Sequence, residues 1–147
     1  MQRGLLVRSL NKFYAKNFDR KCHKTTELIK LWWEEKTKAK LTNEIMTDFG
    51  FMVFNNEDRP IVAGFLYPVA GCQMAMVGFP IANPLIFQEE RREAIAFLVA
   101  SVEDYAKKLK YDFLVSYAGN KGAIGIWNRE NYTVLDKEVI QFGKRLA

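Results

Sequence analysis

The sequence is poor in the residues from which metal and redox sites are built. It holds one histidine and two cysteines in 147 residues, and Cys22 and Cys72 are lone residues at no metal-ligand or redox spacing. His23 lies between Cys22 and Lys24 with no partner at a useful interval. It reads as a surface residue, which excludes a His-based triad or a zinc site. No P-loop, dinucleotide fingerprint, internal repeat or low-complexity tract is present. No stretch approaches the roughly 20 apolar residues of a membrane helix. Met1 to Leu10 carries Arg3 and Arg8 and too short an apolar run for a signal peptide. These absences predict a cytoplasmic protein with reduced thiols, no metal and no membrane partner.

What the chain does have is core-forming material. Hydrophobic residues make up 49% and aromatic residues 14%, far from the composition of disordered chains, and the length suits a single domain spanning residues 1–147. The net charge of +5 is uneven: residues 1–40 hold 11 Lys and Arg against 4 Asp and Glu, the remainder 11 against 13. Such a basic block attracts phosphate-rich partners, nucleic acid among them, with Lys21, Lys24 and Lys30 as the contacting residues. It also suits a solvated helix face.

Arg3 to Leu10 reads as a first strand. Asn17 to Lys38 has helical spacing, with Leu28, Leu31 and Trp32 on one face and Trp32 and Trp33 packing onto a sheet. Two strand-like runs, Asp48 to Phe54 and Ile61 to Tyr67, flank the turn residues Asn55 to Pro60 and predict a hairpin. Cys72 to Ile81 is a third run, stopped by Asn83-Pro84. Glu89 to Leu109 is an amphipathic helix: Ala94, Phe97, Leu98, Ser101, Val102, Tyr105 and Ala106 share a face. Its first turns are acidic (Glu89, Glu90, Glu93) and its end is basic (Lys107, Lys108, Lys110), as the helix dipole favours. Phe113 to Tyr117 reads as a buried strand, Asn120 to Glu130 as an Asn-capped helix, and Thr133 to Leu146 as one or two closing strands. The expected fold is α/β with a mixed, twisted central sheet and helices on both faces.

Asn120, Ala123, Trp127 and Asn131-Tyr132 carry a family resemblance, because their spacing, with an αL-tolerant residue before the final aromatic, is similar to that of the GNAT acyltransferase superfamily. Ala63-Gly64 in the hairpin and Ala106 in the long helix fit the same pattern, which covers roughly residues 48–146. The resemblance implies transfer of an acyl group, acetyl from acetyl-CoA, to an amine on an unidentified acceptor. It also implies that backbone groups of Met76 to Ile81, at Val77, Phe79 and Ile81, hold the pantetheine arm like an added strand, with Asn120 nearby.

The resemblance has gaps. The family grips the pyrophosphate with a glycine-rich loop at a helix N-terminus, but counting back from Ala106 places Glu90-Arg91-Arg92-Glu93-Ala94-Ile95 there. Glu90 and Glu93 oppose an anion, and Arg91 and Arg92 would have to offset them. Trp127 stands where the family often has a proton-donating tyrosine, and indole is no practical acid, which leaves Tyr117 and Tyr132 as substitutes. Asp48 is the nearest candidate base, with water relay as the alternative. Three outcomes stay open: a rebuilt coenzyme A site, a different donor, or a non-catalytic relative serving as a binding or structural module.

Overall fold

The computed structural model describes residues 12–138, 140 and 142–146. They form two compact units, divided between Tyr117 and Ala118. The predicted strand at Arg3 to Leu10 lies outside the described residues.

The first unit is built on a five-stranded sheet in sequence order. Strand β1 (Phe13–Asn17) pairs antiparallel with β2 (Phe51–Asn55), β2 with β3 (Pro60–Pro68) and β3 with β4 (Met74–Ala82). Helix α2 (Gln88–Lys108) then crosses over to β5 (Phe113–Val115), which runs parallel to β4. Helix α1 (His23–Thr37) and a 3-10 turn at Asn43–Ile45 fill the connection from β1 to β2.

Residues Phe13 to Asn17 are strand because all five pair with β2, so the helix expected from Asn17 starts six residues later. Asp19 Oδ1 accepts from Lys21 N at 2.9 Å and turns the chain between them. The hairpin turn is held by Asn55, whose Oδ1 accepts from the N–H groups of Glu57 and Arg59, both at 3.0 Å. Asp58 supplies the left-handed residue at φ 61°.

The two faces of the sheet carry different helices, as strand alternation allows. On one face Met52, Ala63, Phe65 and Ile81 pack with Ile29 and Trp32 of α1. On the other, Phe97 of α2 meets Phe13 (ring centroids 6.1 Å) and Tyr105 meets Phe51 (5.5 Å). The α1 face differs from the expected one: Thr26, Ile29 and Trp32 are buried, whereas Leu31 is 60% exposed. The i, i+3 row through residues 26, 29 and 32 faces the sheet, and Leu31 falls on its flank.

Gly64 lets α2 approach closely, since a Cβ there would stand 2.8 Å from Leu98 Cδ2. Gly64→Val is therefore expected to destabilise the protein by about 1–3 kcal/mol through overpacking. In thermal melts, adding Leu98→Ala should restore part of that loss. Equal, additive losses would show that the two sites do not couple.

The second unit contains α3 (Lys121–Arg129). Asn120 caps it, its Oδ1 accepting from Ala123 N at 2.9 Å. The helix closes in a Schellman motif, with Asn131 at φ 64°, Tyr132 N donating to Trp127 O at 2.9 Å and Asn131 N to Asn128 O at 3.3 Å. The Tyr132 ring packs on Trp127 at 4.8 Å. The closing strands expected at Thr133 to Leu146 are absent among the described residues: the chain there pairs with no ladder, and Val134, Leu135, Ile140, Phe142 and Leu146 are exposed.

Candidate functional site

The ladder between β3 and β4 breaks its register at a single place. Phe65 pairs with Gly78 and Ala63 with Ile81, so two residues of β4, Phe79 and Pro80, stand against Gly64. This is a β-bulge, and Pro80, which has no N–H to give, fits it. Meanwhile β5 accompanies β4 only from Met74 to Met76. Beyond that point the strands part, and among the described residues of the first unit no strand pairs with that edge of β4.

Which backbone groups line that edge follows from alternation. Gln73 O accepts from Asp112 N (2.9 Å) and Phe113 N (3.2 Å), so the odd residues turn toward β5. Val77 shares that direction, and its carbonyl accepts from Ser116 Oγ at 2.7 Å. Past the bulge the parity inverts: Asn83 N donates to Ile61 O at 2.8 Å, so Ile81 turns its backbone to β3. Of the three residues expected to hold a pantetheine arm, Val77 has its carbonyl taken by Ser116, Phe79 lies in the bulge on the open edge, and Ile81 faces inward.

The α2 N-terminus follows directly. Asn83 is buried and braces the turn, giving Nδ2 to Pro60 O (3.0 Å) and accepting from Leu85 N (3.0 Å). The N-cap is Phe87, which offers no side-chain cap, so the first-turn N–H groups are left to solvent or a ligand. Helical geometry, at about 100° per residue, separates the charges around this end. Phe97 points to β1 and Leu98 to β3. Glu93 lies about 40° before Phe97, on the β1 flank, and Arg91 about 20° beyond Leu98, toward β4. Glu93 accordingly pairs with Lys12, and Glu89, Glu90 and Glu93 line a cleft with Lys12, Phe13 and Asn56. Arg91 is half-buried and Arg92 exposed, and neither has an ion-pair partner among the described residues. The glutamates thus sit around the helix from the open edge, and Arg91 is turned toward it.

The acid–base candidates fall on different elements of the two units. Asp48 accepts from Arg20 N at 3.2 Å and forms an ion pair with Arg20 Nε at 3.4 Å. Its neighbour Thr47 donates to Leu66 O at 2.9 Å, which places residue 48 across β3 from the open edge. Tyr117 follows Ser116 and is 54% exposed. Tyr132 belongs to the second unit, where its ring rests on Trp127, and Asn120 commits its side-chain oxygen to capping α3. Tyr67 gives its hydroxyl to Ile45 O at 2.6 Å, and burial pushes its pKa above the ordinary phenol range. Of the basic residues expected to contact phosphate, Lys30 of α1 pairs with Glu27 at 3.3 Å, and Lys24 of α1 and Lys21 just before the helix are exposed. Among the described residues no cluster of three His, Cys, Asp or Glu could hold a metal, and no helix is long and apolar enough to cross a membrane.

Sequence reasoning missed Ser116 and Pro80. A proline inside a strand-like run is a bulge signal and was available at Pro80. Nothing local marks Ser116, whose role depends on a residue 39 positions away.

An antiparallel meander, a helical crossover and a parallel fifth strand that parts from the fourth after Met76, short of the bulge, define a mixed α/β sheet. The chain has the fold of the GCN5-related N-acetyltransferases. It superposes on one such enzyme from Kribbella flavida with a TM-score of 0.65 at 15% identity, over 87% of this chain and 86% of that one. The aminoglycoside 6'-N-acetyltransferase AAC(6')-Ih of Acinetobacter baumannii matches with a TM-score of 0.59 at 17% identity, over 92% and 99%. AAC(6')-Iy, solved with a bisubstrate analogue, CoA-S-monomethyl-acetylneamine, matches with a TM-score of 0.64 at 13% identity, over 91% and 99%. No family model matches the sequence, and no curated protein matches it.

Proposed function

We propose that the protein is an N-acyltransferase that moves an acyl group, acetyl in the simplest case, from an acyl-CoA thioester to an amine. The observation that carries this reading is the parting of β4 from β5 after Met76, beside the bulge at Phe79 and Pro80. An open strand edge of this kind can receive an amide-bearing chain such as pantetheine by main-chain hydrogen bonds. The uncapped N-terminus of α2 and Arg91 lie at the far end of the same edge and suit its phosphates. A neighbour in fold was solved with a CoA-containing analogue, which supports the choice of donor.

In the transfer, the amine nitrogen forms a bond to the thioester carbonyl carbon, and the C–S bond breaks. The sulfur leaves with the electron pair and takes a proton from water to end as the thiol, which balances the proton that the amine gives up. With Asp48 across β3 and bound to Arg20, that proton goes to water. The contribution of the chain is to hold the two reactants in line rather than to supply a strong base.

A competing reading, in which the fold is kept without the reaction, draws on one observation. The first open carbonyl, that of Val77, is already satisfied by Ser116. Differential scanning fluorimetry separates the two. Acetyl-CoA at a hundredfold excess over its Kd should stabilise the protein by about 2.7 kcal/mol, a rise of several degrees in the melting midpoint. An unchanged midpoint with both acetyl-CoA and free coenzyme A would leave the non-catalytic reading.

A further inference from the structure

The last contact between β4 and the chain leaving β5 is made by a side chain. The parallel ladder pairs Met74 to Met76 with Phe113 to Val115 and stops there. Phe113 N donates to Gln73 O at 3.2 Å, and by the two-residue step of such a ladder the donor for Val77 O would be the backbone N–H of Tyr117. Ser116 Oγ fills that place instead, at 2.7 Å. Ser116 and β4 lie in the same compact unit.

Two physical properties make this rung exchangeable. A backbone rung opens only when its strand peels away, whereas a serine hydroxyl leaves by one rotation about χ1 between staggered wells. Val77 is buried, and a buried carbonyl left without a donor is costly. A donor must therefore stay on Val77 O while the edge is empty, and a rotatable one can withdraw when another arrives. From Val77 the edge of β4 runs toward the uncapped N-terminus of α2. A ligand whose phosphates sit at that N-terminus brings the opposite end, the amides and sulfur of its arm, toward Val77 and Ser116.

We infer that Ser116 is a placeholder in the donor site: its hydroxyl holds Val77 O while the site is empty, and an amide N–H of the pantetheine arm replaces it when an acyl-CoA binds. The identity of the ligand rests on the acyl-transfer reading. The exchange keeps one donor on the carbonyl throughout and makes or breaks no covalent bond. Ser116 is thus a positioning residue that acts through the carbonyl of Val77. The bond that otherwise speaks for a fold without its reaction is the resting state of the donor site.

The test is calorimetric titration of coenzyme A into the wild type, Ser116→Ala and Ser116→Thr, with adenosine 3',5'-bisphosphate, which lacks the pantetheine arm, as the second ligand. Ser116→Ala removes the hydroxyl that coenzyme A has to displace, so its Kd for coenzyme A is expected to fall about twofold to tenfold, the range spanned by one net hydrogen bond. Without ligand the same variant should melt at a lower temperature, because Val77 O has lost its donor. Lower stability together with tighter binding separates a placeholder from a structural tie, whose loss would weaken both. Ser116→Thr keeps the hydroxyl and should bind coenzyme A as the wild type does. The bisphosphate should not distinguish Ser116→Ala from the wild type.

Equal or weaker binding of coenzyme A by Ser116→Ala would overturn the placeholder and leave the wild-type donor site in place. A gain in affinity shared by the bisphosphate would overturn it too, since the loosening would then be general rather than at the arm. No binding of coenzyme A by any of the three proteins would remove the acyl-transfer reading and the placeholder with it.

Discussion

Arg91→Glu is expected to raise the Kd for acetyl-CoA by about tenfold to about a hundredfold, measured by titration calorimetry at low salt. A charge-assisted hydrogen bond to an anion contributes about 1.5–3 kcal/mol, and each 1.4 kcal/mol is about tenfold in Kd. The residue is half-buried at the uncapped end of α2 and turned toward β4, so reversal places a carboxylate beside orphan N–H groups that the phosphates would use. Glu93→Gln is the informative control. Glu93 belongs to the β1 flank and pairs with Lys12, so its neutralisation should change the Kd by less than about threefold, the scale of an exposed ion pair. If Glu93→Gln tightened binding strongly while Arg91→Glu did nothing, the phosphates would lie on the other flank of the helix.

That control also shows where linear sequence misleads. Read along the chain, Glu90 and Glu93 occupy the gripping positions and oppose the donor. Around the helix they are separated from Arg91 by more than a quarter turn. The number of charges at the helix start was legible; their direction was not, because it depends on which residues of α2 meet β1 and β3.

Other parts of the fold divide in the same way. The hairpin, the long helix and the Asn120 to Tyr132 segment were readable because each is specified locally: turn residues, a 3.6-residue period, a cap and a left-handed Asn131 at φ 64°. Strand β1 was missed because Phe13 to Asn17 becomes a strand only by pairing with residues 51–55. The same dependence on a partner explains the shortened β5. Ser116 leaves the ladder to cap Val77 O, so Tyr117 falls beyond the strand rather than in it. The candidate site shows the sharpest contrast. Its β4 segment was found in sequence, but the bulge within it rests on the register against β3, and the point where β5 leaves it rests on the pairing of Met76 with Val115.

Phe65→Ala is expected to cost about 3–5 kcal/mol of stability. At about 3 °C per kcal/mol for a chain of this size, the melting midpoint should fall by roughly 9–15 °C. Phe65 is fully buried. Its ring meets Phe18 edge-on at 5.1 Å and Tyr67 at 6.5 Å, and it belongs to the core shared with Ile29, Trp32, Leu41, Met46, Ala63 and Ile81. Its Cα side is closed too, because the chain at Gly50 approaches so nearly that a Cβ there would be 2.9 Å from the Phe65 ring. Sheet neighbours therefore cannot collapse into the space the ring leaves, which argues for the upper half of the range. The loss should be polarised. Phe65 lies on the α1 face, whereas α2 is seated on the opposite face through Phe97, Leu98 and Tyr105. Hydrogen exchange in the variant should quicken across α1 and the turn at Asn43–Ile45, with the core amides of α2 remaining the more protected. On the proposed donor site at β4 and the start of α2, acetyl-CoA affinity should fall less than the protection of α1. Equal loss of protection in both helices would mean that the two faces unfold as one unit.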